Sequence, residues 1–262
     1  MQVRVLGSHN LESLKSRHTC FLIDNVLAVD AGSIVSVLGF EEMSKIQAIL
    51  LTHEHLDHSR DIPTLGLFIL DLPGSIQIFA LSRTLESVRK HLMNGDIYPD
   101  LTKSLNGETP KYQLRKVSPS SNFQVLDYEV KAIPTSHPVP SVGYIVKSKD
   151  GHSVAFTGDT GTDFLTFLKD PMAPKTLFVD VTFPNRLNDR ARLTGHLTPG
   201  LLREGILNAL RKGVSLPLIV PVHLSTQYEN EVRQDLTIVE KELGISLTPA
   251  EEGIFTKAQP GD

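Results

Sequence analysis

One cysteine stands in the 262 residues, Cys20. No disulfide can therefore form within the chain, which fits a reducing compartment. The residue sits in the apolar run T-C-F-L-I and reads as a small buried side chain. No apolar stretch approaches the length of a bilayer-spanning helix, so no membrane contact is expected. The opening M-Q-V-R-V-L-G-S-H-N lacks the charged and apolar regions of a secretory signal, and the expectation is a cytoplasmic protein. Basic runs are missing too, and the formal net charge is −4 with a pI near 6.2. An extended nucleic-acid surface, which depends on neutralising phosphates, is therefore not expected, although a local basic patch stays open. Short repeats and low-complexity segments are absent. What is present is ordinary for a globular protein: 40% hydrophobic and 21% charged residues, in a chain long enough to bury a sizeable core.

Short apolar runs alternate with turn signals. Val3–Leu6, Cys20–Ile23 and Val26–Asp30 read as strands, with Asp24-Asn25 as a tight hairpin between the last two. Ile34–Phe40 reads as a short helix and Ile46–Leu51 as a buried strand. Helices are expected at Ile62–Leu70 and Thr84–Met93, around a strand at Ile76–Ala80. Residues 94–111 are rich in turn formers and read as a long loop or small insertion beside the site. Strands follow at Tyr112–Val117, Phe123–Leu126, Glu129–Ile133, Gly143–Lys147 and Ser153–Thr157. Then come a helix near Asp163–Leu168, a strand at Thr176–Val181, and a helix at Leu201–Leu210 with Thr198 as N-cap and Pro199 in its first position. A strand at Leu218–Val222, a helix at Glu229–Leu243 and a last strand at Gly253–Phe255 complete the pattern, with Gln259–Asp262 as a loose tail. Periodicity alone gives a mixed α and β chain. Each half runs strands first and helices later. Two such halves, sheets face to face and helices outside, make a four-layer αββα sandwich in one domain spanning 1–262.

The chemistry concentrates in T-H-E-H-L-D-H, directly after the buried strand. His53 and His55 are two residues apart, a spacing that points extended side chains to the same side, so both imidazoles can reach one metal. Asp57 and His58 follow where the chain turns toward a helix and can hold a second metal nearby. Imidazole and carboxylate ligands suit zinc, manganese or iron. The competing reading is a polar loop that happens to be rich in histidine.

This segment resembles the H-x-H-x-D-H signature of the metallo-β-lactamase fold, an α/β (α+β) four-layer sandwich. The resemblance implies three further ligands: His137 in S-H-P-V-P-S-V-G-Y for the first metal, Asp159 in F-T-G-D-T bridging both, and His223 in V-P-V-H-L-S-T for the second. Taken singly, His137 and His223 read equally as buried histidines, and Asp159 as a turn cap. F-P-N-R at 183–186, G-H-L-T-P at 195–199 and N-G-D-I-Y-P-D look like the class II cyclic-nucleotide phosphodiesterases. The sequence departs from that group after His58, where S-R-D-I-P stands, and after His223, where L-S-T-Q-Y stands.

His196 resembles the extra active-site histidine shared by those phosphodiesterases and the tRNA 3′-processing endonucleases (RNase Z). The implied chemistry is hydrolysis of a phosphodiester, foremost a 3′,5′-cyclic nucleotide, by a hydroxide activated between two divalent metals, zinc foremost. In it Asp57 serves the catalytic centre as well as the second metal, and His196 protonates or hydrogen-bonds to the leaving oxygen. Arg186 is a candidate phosphate clamp or, equally, a solvated surface charge. Asp30 in V-D-A-G can hydrogen-bond a ligand histidine or stabilise its turn. His9, His18, His91 and His152 match no ligand position. A homodimer follows from resemblance alone. A tRNA-processing nuclease, another hydrolase of the fold such as a β-lactamase or thioester hydrolase, and a nucleotide-sensing metal-binding protein are the alternatives.

Overall fold

The computed structural model describes residues 1–104, 107, 109–253 and 255–257. The chain opens with strands β1 (Gln2–Gly7), β2 (Cys20–Ile23) and β3 (Leu27–Val29). Asp24 and Asn25 adopt φ of 46° and 61°, the left-handed pair a tight hairpin requires. Helices α1 (Ile34–Val37) and α2 (Phe40–Met43) lead to β4 (Ala48–Leu50). The single helix expected over Ile34–Phe40 is thus two, because Leu38 and Gly39 turn extended, with ψ of 143° and 168°. Next come α3 (Leu56–Ser59), α4 (Ile62–Phe68), β5 (Ile76–Leu81), α5 (Ser82–His91) and β6 (Tyr112–Val117).

The second half runs β7 (Asn122–Val125), β8 (Tyr128–Thr135), β9 (Ser141–Ser148), β10 (Ser153–Phe156), α6 (Leu165–Leu168) and β11 (Thr176–Asp180). After these stand α7 (Asn188–Thr194), α8 (Pro199–Arg211), β12 (Leu218–Val222), α9 (Glu229–Leu243) and β13 (Phe255–Lys257). Thr198 caps α8 by accepting from the Leu201 amide at 3.2 Å, with Pro199 in the first turn, as its sequence indicates. Helix α7 was not foreseen, since its N-D-R-A-R-L-T pattern buries only Ala191. The last strand lies two residues later than expected and returns to pair with β1. The expected loose tail at Gln259–Asp262 lies outside the described residues.

Two sheets result, a seven-stranded one ordered β13-β1-β2-β3-β4-β5-β6 and a six-stranded one ordered β12-β11-β10-β9-β8-β7. Strands β3 to β6 are parallel, as are β10 to β12. Alternation sorts each strand's side chains between two cores. In β2, Phe21 and Ile23 enter the core between the sheets, while Cys20 and Leu22 enter the outer core of the first sheet. In β10, Val154 and Phe156 face inward and Ala155 faces the helices of the second sheet. Both faces of these strands are covered, which is why they read as continuous apolar runs. The rings of Phe21, Phe156 and Phe178 join the sheets with centroids 4.8 to 5.1 Å apart. The layers are therefore helix, sheet, sheet, helix, and the loops at the strand ends meet at one edge of the sandwich. No described helix is long and apolar enough to cross a membrane.

Candidate metal centre

His53, His55, Asp57 and His58 follow β4, His137 follows β8, Asp159 follows β10 and His223 follows β12. His223 adopts φ of 61°, an unusual backbone state for a residue with a side chain and one that turns its ring toward the others. Gly158 has φ of 59°, and a Cβ there would lie 2.9 Å from the Thr52 side chain. The chain thus comes close enough to the first sheet to present Asp159 to its histidines.

The predicted ligands fall into two neighbouring groups, His53, His55, His137 and Asp159 in the first and Asp57, His58 and His223 in the second, while Asp159 and His223 also gather with Asp180 and His196. In the first, Nε2 of His53 lies 3.0 Å from Nδ1 of His55 and 3.5 Å from Oδ2 of Asp159. Nε2 of His137 lies 3.2 Å from that Nδ1 and 3.7 Å from that Oδ2. In the second, Nε2 of His58 and Nε2 of His223 are 3.4 Å apart, and they lie 3.1 and 3.3 Å from Oδ1 of Asp159. Oδ2 of Asp57 is 3.2 Å from His223 and 3.7 Å from His58. Ligands at about 2.0–2.1 Å from a tetrahedral ion are separated by roughly 3.3–3.4 Å. Both groups match that spacing. Asp159 Oδ1, moreover, is buried and accepts no hydrogen bond despite the two imidazoles flanking it. The donor set fits divalent cations, with Asp159 within reach of both groups.

Charges agree with that fit. Burial holds His53 well below the ordinary imidazole range and lowers His137 as well, leaving both rings neutral donors. Burial alone would raise the Asp57 and Asp159 carboxyls. The imidazoles of His58 and His223 nevertheless hold Asp57 below the carboxylate range, and His223, His58 and His53 hold Asp159 well below it. His58 is pushed well above the imidazole range: burial opposes its charge, but Asp159, Asp30 and Asp57 together outweigh burial.

Two carboxylates behind the ligands complete the site. Asp30 Oδ2 accepts from Nδ1 of His58 at 2.7 Å, and Asp30 also occupies a left-handed turn with φ of 59°. Both sequence readings of Asp30 therefore describe the same residue. Asp180, at the end of β11, accepts from Nδ1 of His196 at 2.7 Å. Burial disfavours charge on His196, yet Asp180 carries its pKa up to about 9. The His196 ring lies 5.2 Å from that of His137 and 5.4 Å from that of His223, between the two groups. Gly195 makes this approach feasible, since a Cβ there would come within 2.9 Å of the His137 Cα. Asp180 was missed in the sequence. Its signal was a carboxylate ending the apolar run L-F-V-D, where burial requires a partner.

Other candidates stand apart. Arg186 donates to Glu231 through Nε and Nη2 at 2.7 and 3.1 Å and lies over the Tyr228 ring, so the structure pairs it as a surface cation. In the 94–111 segment, Tyr98 contacts Thr64 and Leu101 packs near Gly66, both on α4, and Arg89 of α5 faces Asp100; Leu105, Asn106 and Glu108 lie outside the described residues. His9 is buried between Glu229 and Glu252, His152 faces Asp150, and His91 is exposed. His18 is half-buried beside Gly32, whose Cβ would also meet the Asp57 carbonyl.

Comparison with known proteins gives these atoms a context. Residues 21–224 match the family described as the Beta-lactamase superfamily domain. A 3′,5′-cyclic-nucleotide phosphodiesterase of Aliivibrio fischeri is 26% identical over 231 residues, covering 70% of this chain and 68% of that protein. A ribonuclease Z of Methanocaldococcus jannaschii is 24% identical over 246 residues, covering 73% and 74%. Unliganded yeast PDE1 superposes with a TM-score of 0.81 at 18% identity, covering 97% of this chain and 98% of that one.

Proposed function

The chain belongs to the beta-lactamase superfamily, and on that premise we propose that it is a two-metal phosphodiesterase whose foremost substrate is a 3′,5′-cyclic nucleotide. Residues 1–262 are taken as one catalytic unit. His53, His55, His137 and Asp159 hold one divalent ion, and Asp57, His58, His223 and Asp159 hold the other. Zinc suits this donor set, as do manganese and iron. Such ions, when bound, supply a nucleophile at neutral pH and offset charge on the phosphoryl oxygens.

The observation that carries a phosphodiester reading is the His196–Asp180 pair. Asp180 accepts from Nδ1, so Nε2 is the nitrogen left to donate. Its raised pKa keeps the ring protonated at neutral pH. A protonated donor set between the two ligand groups suits a reaction whose leaving group is an alkoxide. Asp180 acts by orienting the ring and favouring its charged form. Phe183 closes one edge of His196 at a ring distance of 5.7 Å and limits its rotation.

The cyclic-nucleotide preference rests on likeness to the phosphodiesterase relative and on the F-P-N-R and G-H-L-T-P segments. The same cage and donor also serve a tRNA 3′-end nuclease, which the ribonuclease Z likeness favours. A panel of bis-p-nitrophenyl phosphate, cyclic AMP, cyclic GMP, 2′,3′-cyclic nucleotides and pre-tRNA, assayed on metal-analysed protein, separates them. The proposal expects turnover of a 3′,5′-cyclic nucleotide well above that of pre-tRNA. Specific cleavage of pre-tRNA without cyclic-nucleotide turnover reverses the assignment.

A further inference from the structure

At the edge of each sheet an aspartate and a threonine together hold two histidines, and the two arrangements share one pattern, although Thr182 Oγ1 also lies 3.2 Å from Nδ1 of His196. In the first sheet, Asp30 accepts directly from His58, and Thr52 Oγ1 lies 3.0 Å from each Asp30 oxygen and 3.0 Å from Nδ1 of His53. The Thr52 amide donates to the same carboxylate at 2.8 Å. In the second sheet, Asp180 accepts directly from His196, and Thr182 Oγ1 donates to Asp180 Oδ1 at 2.6 Å while lying 2.8 Å from Nδ1 of His223. The Thr160 amide donates to Asp180 at 3.1 Å. Thr52, Thr182, Asp30 and Asp180 are all buried.

A hydroxyl has one proton, and a carboxylate can only accept. Each threonine therefore gives its proton to the aspartate, and its oxygen can only accept from the histidine. That requires the proton of His53 and of His223 to sit on Nδ1, leaving Nε2 with a free lone pair directed at the ligand group. Resting on the metal-centre reading above, we propose that Thr52 and Thr182 are positioning residues that set the tautomer of a ligand histidine in each metal group, each using a carboxylate shared with a second histidine. Thr182 has the further effect of tying the His223 ligand and the His196 donor to one anion.

The test uses the full chain in four versions, Thr52→Val, Thr182→Val, Thr52→Ser and Thr182→Ser, beside wild type. Zinc affinity is read in competition with a chromophoric chelator, and the imidazole tautomers of the metal-free protein by two-dimensional proton–nitrogen NMR. The expected result is Nδ1–H at His53 and His223 in wild type and loss of that signal at the affected ring in each valine variant. Zinc affinity should fall about 10- to 100-fold for one equivalent in each valine variant, with the serine variants returning to within a few-fold of wild type. Wild-type zinc affinity for both equivalents in folded valine variants overturns the proposal, as does an Nε2–H tautomer at either ring of wild type. The wild-type spectrum and the serine variants decide the matter even if a valine variant does not fold. Failure of the phosphodiesterase reading is a different result: wild type loads two zinc ions and keeps both tautomers but cleaves no phosphodiester.

Discussion

The two halves of the molecule supply the proposed metal ligands in opposite ways. The first half delivers His53, His55, Asp57 and His58 in one stretch from a single strand end and the helix beside it. The second delivers His137, Asp159 and His223 one at a time, from the ends of three strands. Behind both stands one buried aspartate with a threonine, Asp30 in the first half and Asp180 in the second. Compact spacing makes a metal group visible without a structure; scattered ligands become a group only when sheet order brings the strand ends together. The halves also divide the labour. The first half's aspartate serves two of the proposed ligands, whereas the second half's serves one proposed ligand and the proposed proton donor.

Removing the residue common to both groups should have the largest effect. Asp159→Ala is expected to abolish turnover and to lower bound metal in both groups, as measured by elemental analysis of the purified protein. His196→Ala should leave metal content intact while reducing kcat about 10²- to 10⁴-fold. Equal loss of metal and turnover in that variant would instead make His196 part of the cage. Asp180→Asn should reduce kcat about 10- to 100-fold. Because Asp180 raises the His196 pKa, the alkaline limb of its activity profile should move to lower pH. An unmoved limb contradicts the assignment of Asp180 as the anion that sustains His196.

The same pair makes a smaller prediction for metal-free protein. Below about pH 6.5, His196 is protonated in both folded and unfolded chains and its full contribution to stability is present. Between there and about pH 9 only the folded chain keeps the proton, so stability falls as pH rises. Urea unfolding of chelator-treated wild type and His196→Gln should show a stability gap that narrows over this window, by on the order of 2 kcal/mol. A gap independent of pH would remove the charged pair from the account. The smallest effect belongs to Arg186→Ala, expected to change kcat/KM by less than about threefold, since its partner is the exposed Glu231. A large rise in KM would restore Arg186 as a substrate clamp.

Much of this architecture was legible in the sequence because the physics is local. The hairpin at Asp24-Asn25 follows from residues that tolerate positive φ, and the cap of α8 from Thr198 and Pro199. Buried strands announced themselves as apolar runs because helices cover their outer faces. The break at Leu38-Gly39 and the short helix α7 were less legible, since neither segment has enough apolar periodicity to fix its limits. At the site, the contiguous cluster was readable from spacing. His137, Asp159, His196 and His223 needed family resemblance, because each alone is compatible with an ordinary buried or turn residue. Asp180 escaped notice because its partner His196 lies 16 residues away, and the two threonines because their contacts to Asp30 and to His223 span 22 and 41 residues. Arg186 stayed open between clamp and surface charge for a similar reason: its partner Glu231 is 45 residues away.

The measurement that bears most directly on the proposed two-metal centre is a stoichiometric zinc titration of chelator-treated protein, with bis-p-nitrophenyl phosphate turnover read at each addition. The account predicts two tight equivalents and turnover that appears with the second. Full turnover at one equivalent, or turnover independent of added metal, would contradict it.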